Sequence, residues 1–135
     1  MKTEKQKMLA GEIYDANNDP ALIGERLACK KLCRNYNSLE PDSEECGPLM
    51  RRILGSAGSR FVVEQPFYCD YGWNISIGEN FYSNVNLVIL DEAPVKFGDN
   101  CVIGAGSVVT RDIPANSIAV GNPCSVVKKI GKQAL

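Results

Sequence analysis

The hydrophobic and polar positions change rhythm once along the chain, near residue 58. Before that point apolar residues recur at helical spacing. Residues 3–10 predict a short first helix with Gly11 at or near its end. Asn18-Asp19-Pro20 predicts a second helix start. Asp19 serves as N-cap, and Pro20 takes the first helical position, where a missing N–H costs nothing. Ala28, Leu32, Tyr36 and Leu39 then follow at spacings of four, four and three and predict one apolar face, flanked by Leu22, Cys29 and Cys33. Glu25, Arg26, Lys30, Lys31 and Arg34 predict its solvated side. A third helix carries Leu49, Met50, Ile53 and Leu54 and stops at Gly55. Gly47-Pro48 either opens that helix or disturbs its first turn.

After residue 58 the chain breaks into short β-prone pieces punctuated by Gly, Asn and Asp, and these pieces repeat. Steps of six begin at Ile77, Ser83 and Ile89, and again at Phe97, Ile103 and Val109. The step from Ile89 to Phe97 is eight, which predicts a two-residue bulge near Asp91 to Pro94. Six residues hold a short strand and a turn, so one apolar side chain returns to the same inward place. A Gly or Asn after it tolerates the positive φ of a tight corner. Three such sides close one triangular coil, and stacked coils make a parallel β-helix whose core depends on neighbouring coils. An ordinary sheet with glycine-rich turns is the alternative for so few repeats. The expected organisation is a helical cap over residues 1–57 and a repeat domain with a C-terminal tail over 58–135.

Composition narrows the partners. The chain has 135 residues, enough for one compact domain, and a net charge of −1 from 15 basic and 16 acidic residues. That balance argues against nucleic acid, which demands a clustered basic excess. No apolar run reaches membrane-spanning length. The N-terminal residues lack the apolar stretch of a signal peptide, so the expected location is cytoplasmic. The six cysteines, at 29, 33, 46, 69, 101 and 124, show no CxxC pair, and the chain has no histidine to complete a metal set. They read as reduced, mostly buried thiols, and no metal is expected.

Several segments taken together resemble the hexapeptide-repeat acyltransferases, in the branch of maltose and galactoside O-acetyltransferases and their nodulation relatives. They are Met8 to Asp15, Pro66 to Gly72, Asn74 to Asn86, Ile89 to Asp91, Ile103 to Pro114 and Val120 to Val127. The resemblance implies a mainly β protein, a left-handed parallel β-helix under an N-terminal α-helical cap. It also implies a homotrimer with active sites between subunits. The implied reaction moves acetyl from acetyl-CoA to a sugar hydroxyl, with a histidine taking the hydroxyl proton and a positioned donor holding the oxyanion. Carried over by position, Asp70, Asn84, Asp91 and Glu92 would line the acceptor sugar. Ala105, Thr110 and Arg111 would face the pantetheine and nucleotide of CoA, and Lys128 its phosphate. Ser125 stands where the family tends to have arginine.

The departure from the family lies between Asn100 and Cys101. There the family continues through further hexapeptides, a projecting loop with the catalytic histidine, and a coil with a tryptophan beside CoA. Here one Gly-Asp-Asn corner joins directly to Cys101-Val102-Ile103-Gly104, which shortens the chain internally but keeps the sixfold phase. Trp73 lies before the junction and does not replace the lost tryptophan. No catalytic residue is assigned. Asp91 or Glu92, if buried, would be a weak substitute base, and Cys101 has no base to activate it. The expected function is therefore an impaired sugar O-acetyltransferase. The alternatives are a non-catalytic trimeric scaffold or CoA- or sugar-binding module, and a fragmentary product without function of its own. A zinc-dependent carbonic anhydrase on the same fold is excluded, because its metal needs histidines.

Overall fold

The structure, a computed structural model, describes residues 1–131; the end of the expected tail lies outside them. Helix α1 spans Glu4–Leu9 and opens with a capping box in which Thr3 and Gln6 each hold the other's backbone N–H. Helix α2 spans Pro20–Ser38, and its N-cap Asp19 accepts the Leu22 N–H at 3.0 Å. Helix α3 spans Cys46–Ile53, so Gly47-Pro48 opens it and Pro48 sits in the first turn, where no N–H is missed.

The buried face of α2 differs from the expected one. Leu22, Cys29, Cys33 and Tyr36 are buried, whereas Ala28 is exposed and Leu32 and Leu39 are half-buried. The helix is rotated because its side chains must also satisfy strand backbone. The Tyr36 hydroxyl donates to the Val63 carbonyl at 2.5 Å. Asn37 donates to the Phe67 carbonyl at 3.0 Å and accepts the Phe67 N–H at 2.8 Å.

Eleven strands follow: β1 (Ser56–Ala57), β2 (Phe61–Val63), β3 (Phe67–Cys69), β4 (Ile75–Ile77), β5 (Phe81–Ser83), β6 (Leu87–Ile89), β7 (Val95–Phe97), β8 (Cys101–Ile103), β9 (Val108–Val109), β10 (Ser117–Gly121) and β11 (Cys124–Lys129). They form three sheets, in the orders β1-β4-β7, β2-β5-β8-β10-β11 and β3-β6-β9. All pairs are parallel except β10 with β11. This is a β-helix of about three coils under a helical cap. Its first strand begins at Ser56, two residues before the expected boundary. Ser56 pairs with Ser76, Phe61 with Phe81 and Phe67 with Leu87, so one coil takes 20 residues. The last coil is tighter: Cys101 pairs with Ser117, 16 residues on.

The sixfold phase is the inward phase. Ile77, Ser83, Ile89, Phe97, Ile103 and Val109 are all buried, and so are the residues two before each of them. Each fully buried aliphatic or aromatic side chain contributes about 1.5–3 kcal/mol. Across the Asn100–Cys101 junction nothing slips. Phe97 and Ile103 both point inward, and Tyr82 pairs with Val102 in the 20-residue register. The corner there is held by an asparagine ladder. Asn80, Asn100 and Asn116 have φ of 55°, 58° and 59°. Their side chains bond in sequence, Asn80 Nδ2 to Asn100 Oδ1 at 3.1 Å and Asn100 Nδ2 to Asn116 Oδ1 at 2.9 Å. Asparagine suits the site because it tolerates the left-handed conformation and carries both a donor and an acceptor.

The outward residues distinguish the three faces. Val62, Tyr82, Val102 and Ile118 lie side by side on one sheet, and Tyr68, Val88 and Val108 on another. The third face is polar, with Ser56, Ser76 and Lys96 in one row. No helix among the described residues is long and apolar enough to cross a membrane.

Candidate active site

Two corners of the β-helix carry most of the residues singled out in the sequence. They lie on opposite edges of the β3-β6-β9 sheet. At the corner after β5, Asn84 is exposed and its backbone N–H donates to Ile103 at 2.9 Å. Its side-chain oxygen accepts the Val85 N–H at 2.7 Å, so half of the amide is spent on its own turn. One coil further, Ala105 is exposed beside it, and the Gly106 N–H donates to the Val85 carbonyl at 2.9 Å.

The opposite corner is built from two stacked five-residue loops, 70–74 and 90–94, followed by the shorter turn that holds Thr110 and Arg111. The bulge expected near Asp91 to Pro94 is the upper loop, and the lower loop is its counterpart one coil earlier. Asp91 joins them. Its Oδ1 accepts the N–H groups of Asp70 at 2.8 Å and Tyr71 at 3.0 Å, and its Oδ2 accepts that of Gly72 at 2.7 Å. Gly72 has φ +82°, and a Cβ there would run into the Ile53 carbonyl oxygen. Burial pushes the Asp91 carboxyl up to about 6, against the opposing pull of the three backbone donors.

The expectation placed the Asp91 carboxylate against an acceptor; in the structure it is fully buried, and both oxygens are taken by backbone N–H groups of the lower loop. Glu92, the other substitute base considered, is exposed, and only its carbonyl is engaged, by the Tyr14 hydroxyl at 2.9 Å. Asp70 is half-buried with one buried carboxylate oxygen lacking a partner. Burial first, and then the Glu92 charge, raise its pKa.

The cap adds residues that the sequence did not mark. Arg26 donates to the Tyr71 hydroxyl at 2.6 Å and to the Ala16 carbonyl at 2.7 Å. Tyr14, its phenol pushed up to about 12 mainly by burial, bridges to the upper loop. Arg26, on the side of α2 expected to be solvated, is half-buried and engaged by its side chain; Tyr14 lies within the Met8 to Asp15 segment that carries the resemblance. Arg111 and Thr110 are exposed on their turn, and Lys128 is exposed on β11, opposite Ile118. One chain thus groups Asp70, Glu92, Thr110 and Arg111 at one corner and Asn84 with Ala105 at the other; Lys128 stands with neither. A large groove of about 990 Å³ lies elsewhere, between α3 and the outer face of β2 and β5, lined in part by Phe61, Val62 and Tyr82.

Comparison with known proteins agrees with this architecture. A family profile described as the maltose acetyltransferase hexapeptide capping motif matches residues 7–58. One described as the hexapeptide repeat of succinyl-transferase matches residues 86–111 and 94–126. The protein YJL218W of Saccharomyces cerevisiae is 38% identical over an aligned length of 180, covering 93% of this chain and 92% of that protein. The crystal structure of a maltose O-acetyltransferase from Clostridium difficile is similar with a TM-score of 0.71 and 36% identity, covering 97% of this chain and 99% of that one. A galactoside acetyltransferase in complex with coenzyme A gives a TM-score of 0.71 at 28% identity, covering 98% and 94%. The chain belongs to the hexapeptide-repeat acetyltransferases, in the branch that includes the maltose and galactoside enzymes. It is internally shorter than its yeast relative. The aligned length is 180, whereas 93% of 135 residues is about 126, so about 54 aligned positions have no residue here.

Proposed function

We propose that this chain is a sugar O-acetyltransferase by descent, impaired in acetyl transfer, that keeps the surfaces for CoA and for self-association. The observation that carries the reading is the junction at Asn100–Cys101. The coil register runs through it unbroken, while the chain contains no histidine. Attack of a sugar hydroxyl on the acetyl-CoA thioester forms a C–O bond and expels CoA thiolate, and the hydroxyl proton must leave as the bond forms. With no imidazole and with Asp91 fully engaged, that proton falls to Asp70 or Glu92. Neither has a hydrogen bond that would aim it at an acceptor.

Ala105, Thr110 and Arg111 are exposed, which suits contact with a long, flexible, anionic co-substrate; Lys128 adds a cation on β11. Asp70, Asn84 and Glu92 offer the carboxylates and amide that suit sugar hydroxyls. The two corners stand on opposite edges of one sheet, so a site that uses both draws them from different copies of the chain. Apolar rows cover two faces of the β-helix and a polar row covers the third. A closed ring of three copies uses two different faces of each chain, so the apolar rows support a homotrimer.

The second reading is a trimeric CoA- or sugar-binding module without catalysis, favoured by the same exposed corners without a base. Calorimetric titration with acetyl-CoA, on protein whose mass light scattering has established, tests both readings. Binding by a trimer is the expected result. Absence of acetyl-CoA binding in folded protein overturns the retained CoA surface in both, and absence of sugar binding as well overturns the second reading.

A further inference from the structure

Where α2 crosses β3, three thiols converge. Cys29 and Cys33 lie one helical turn apart on the buried face of α2, and Cys69 points inward from β3. The Sγ atoms of Cys29 and Cys69 are 3.4 Å apart, and those of Cys33 and Cys69 are 3.9 Å apart. All three sulfurs lie within 4.8 Å of one another, and all three residues are buried. Cys33 and Cys69 also line a pocket of about 370 Å³ whose other walls include Lys30, Arg34 and Tyr68.

We propose that Cys29, Cys33 and Cys69 form a three-coordinate thiolate site for one soft monovalent cation of the Cu(I) type. The expectation of no metal rested on the absence of CxxC and of histidine; it missed that the fold brings Cys69 to the helical pair. The geometry fits the ion. A metal–sulfur distance of about 2.3 Å in a trigonal plane sets the sulfurs about 4 Å apart; the two pairs to Cys69 stand at 3.4 Å and 3.9 Å, and the third lies within 4.8 Å. Soft thiolates select Cu(I) or zinc among common metals, and zinc completes a tetrahedron. Among the described residues, the group of metal-ligating side chains here supplies three sulfurs and no fourth side chain.

The surroundings complete the site. Three thiolates around one monovalent cation leave two excess negative charges, and Lys30 and Arg34 at the pocket rim oppose them. The ion enters through the pocket at Cys33 and Cys69. The thiol protons leave to water as the metal–sulfur bonds form, with no change of oxidation state.

The test is an anaerobic titration of reduced protein against Cu(I) held by bicinchoninate, whose colour reports the metal withdrawn. One equivalent is expected, and X-ray absorption should show three sulfurs at about 2.3 Å. Outer partners alone are worth about 10–100-fold in metal affinity, so Cys33→Ser should weaken binding by at least about 100-fold. Cys46→Ser, which leaves the three grouped thiols intact, should keep the equivalent. Withdrawal of less than one equivalent by the unaltered chain overturns the proposal. So does a metal shell with fewer than three sulfurs, a reading that stands even if Cys33→Ser fails to fold. Displacement of Cu(I) by an equal concentration of zinc also overturns it.

Discussion

Asn100 and Asn116 are joined side chain to side chain, Nδ2 to Oδ1 at 2.9 Å, across the coil that follows the shortened junction. Asn100 is the last residue before the point where the resemblance to the family places the missing segment, and Asn116 lies one coil later. The ladder that begins at Asn80 is therefore continuous where the sequence is not.

Asn100→Ala should destabilise the fold by about 3–4 kcal/mol. The left-handed conformation costs a Cβ-bearing residue without a local polar partner about 1–2 kcal/mol, and each lost hydrogen bond adds about 1 kcal/mol. Asn100→Gly should cost less, because glycine accepts the positive φ and loses only the side-chain bonds. Urea denaturation of the three proteins checks the order. Equal losses in the two variants would show that the ladder, not the φ, dominates.

Asp91 is expected to matter for folding rather than for turnover. Asp91→Ala leaves three backbone donors unpaired and should cost about 3 kcal/mol or more. Burial raises the folded carboxyl to about 6 from a reference of 3.8, so the native state binds the proton more tightly. Between about pH 4 and pH 6 the native state therefore holds more protons than the unfolded state. The contribution of this group to stability is greatest below that window and declines as pH rises through it. Denaturation midpoints across pH 4–7 should show this slope in the parent protein and lose it in Asp91→Asn.

A charge on the apolar row should break the assembly. Tyr82 lies between Val62 and Val102 on the outer face of its sheet. Tyr82→Glu puts a carboxylate into a face proposed to be covered, where an unpaired buried charge is strongly disfavoured. Light scattering should then report the monomer mass with the circular dichroism of the parent. A trimer that persists in Tyr82→Glu would exclude this face from the interface.

Much of the fold was legible because the β-helix has a short period. Inward positions recur every six residues, so Ile77, Ile89, Phe97 and Ile103 announce themselves from neighbours alone. Asp19-Pro20 was legible for the same reason, since a cap is local chemistry. What was not legible depended on distant partners. The buried face of α2 is set by Val63 and Phe67, whose backbone groups it must satisfy. Asp91 looked like a ligand because its chemistry suits sugars, yet the donors that occupy it lie about one coil earlier. The thiol cluster was invisible because Cys69 is 40 residues from Cys29 and 36 from Cys33.

The central claim is that losing the histidine-bearing segment left the fold and removed the base. Acetyl transfer from acetyl-CoA to maltose and to a galactoside, measured beside the intact Clostridium difficile maltose O-acetyltransferase, tests it most directly. Loss of a general base costs about 10²–10⁴-fold, so the rate should fall at least about 100-fold below that of the intact enzyme. A rate equal to the intact enzyme's would contradict the account, because a chain with no imidazole would then carry the full proton transfer.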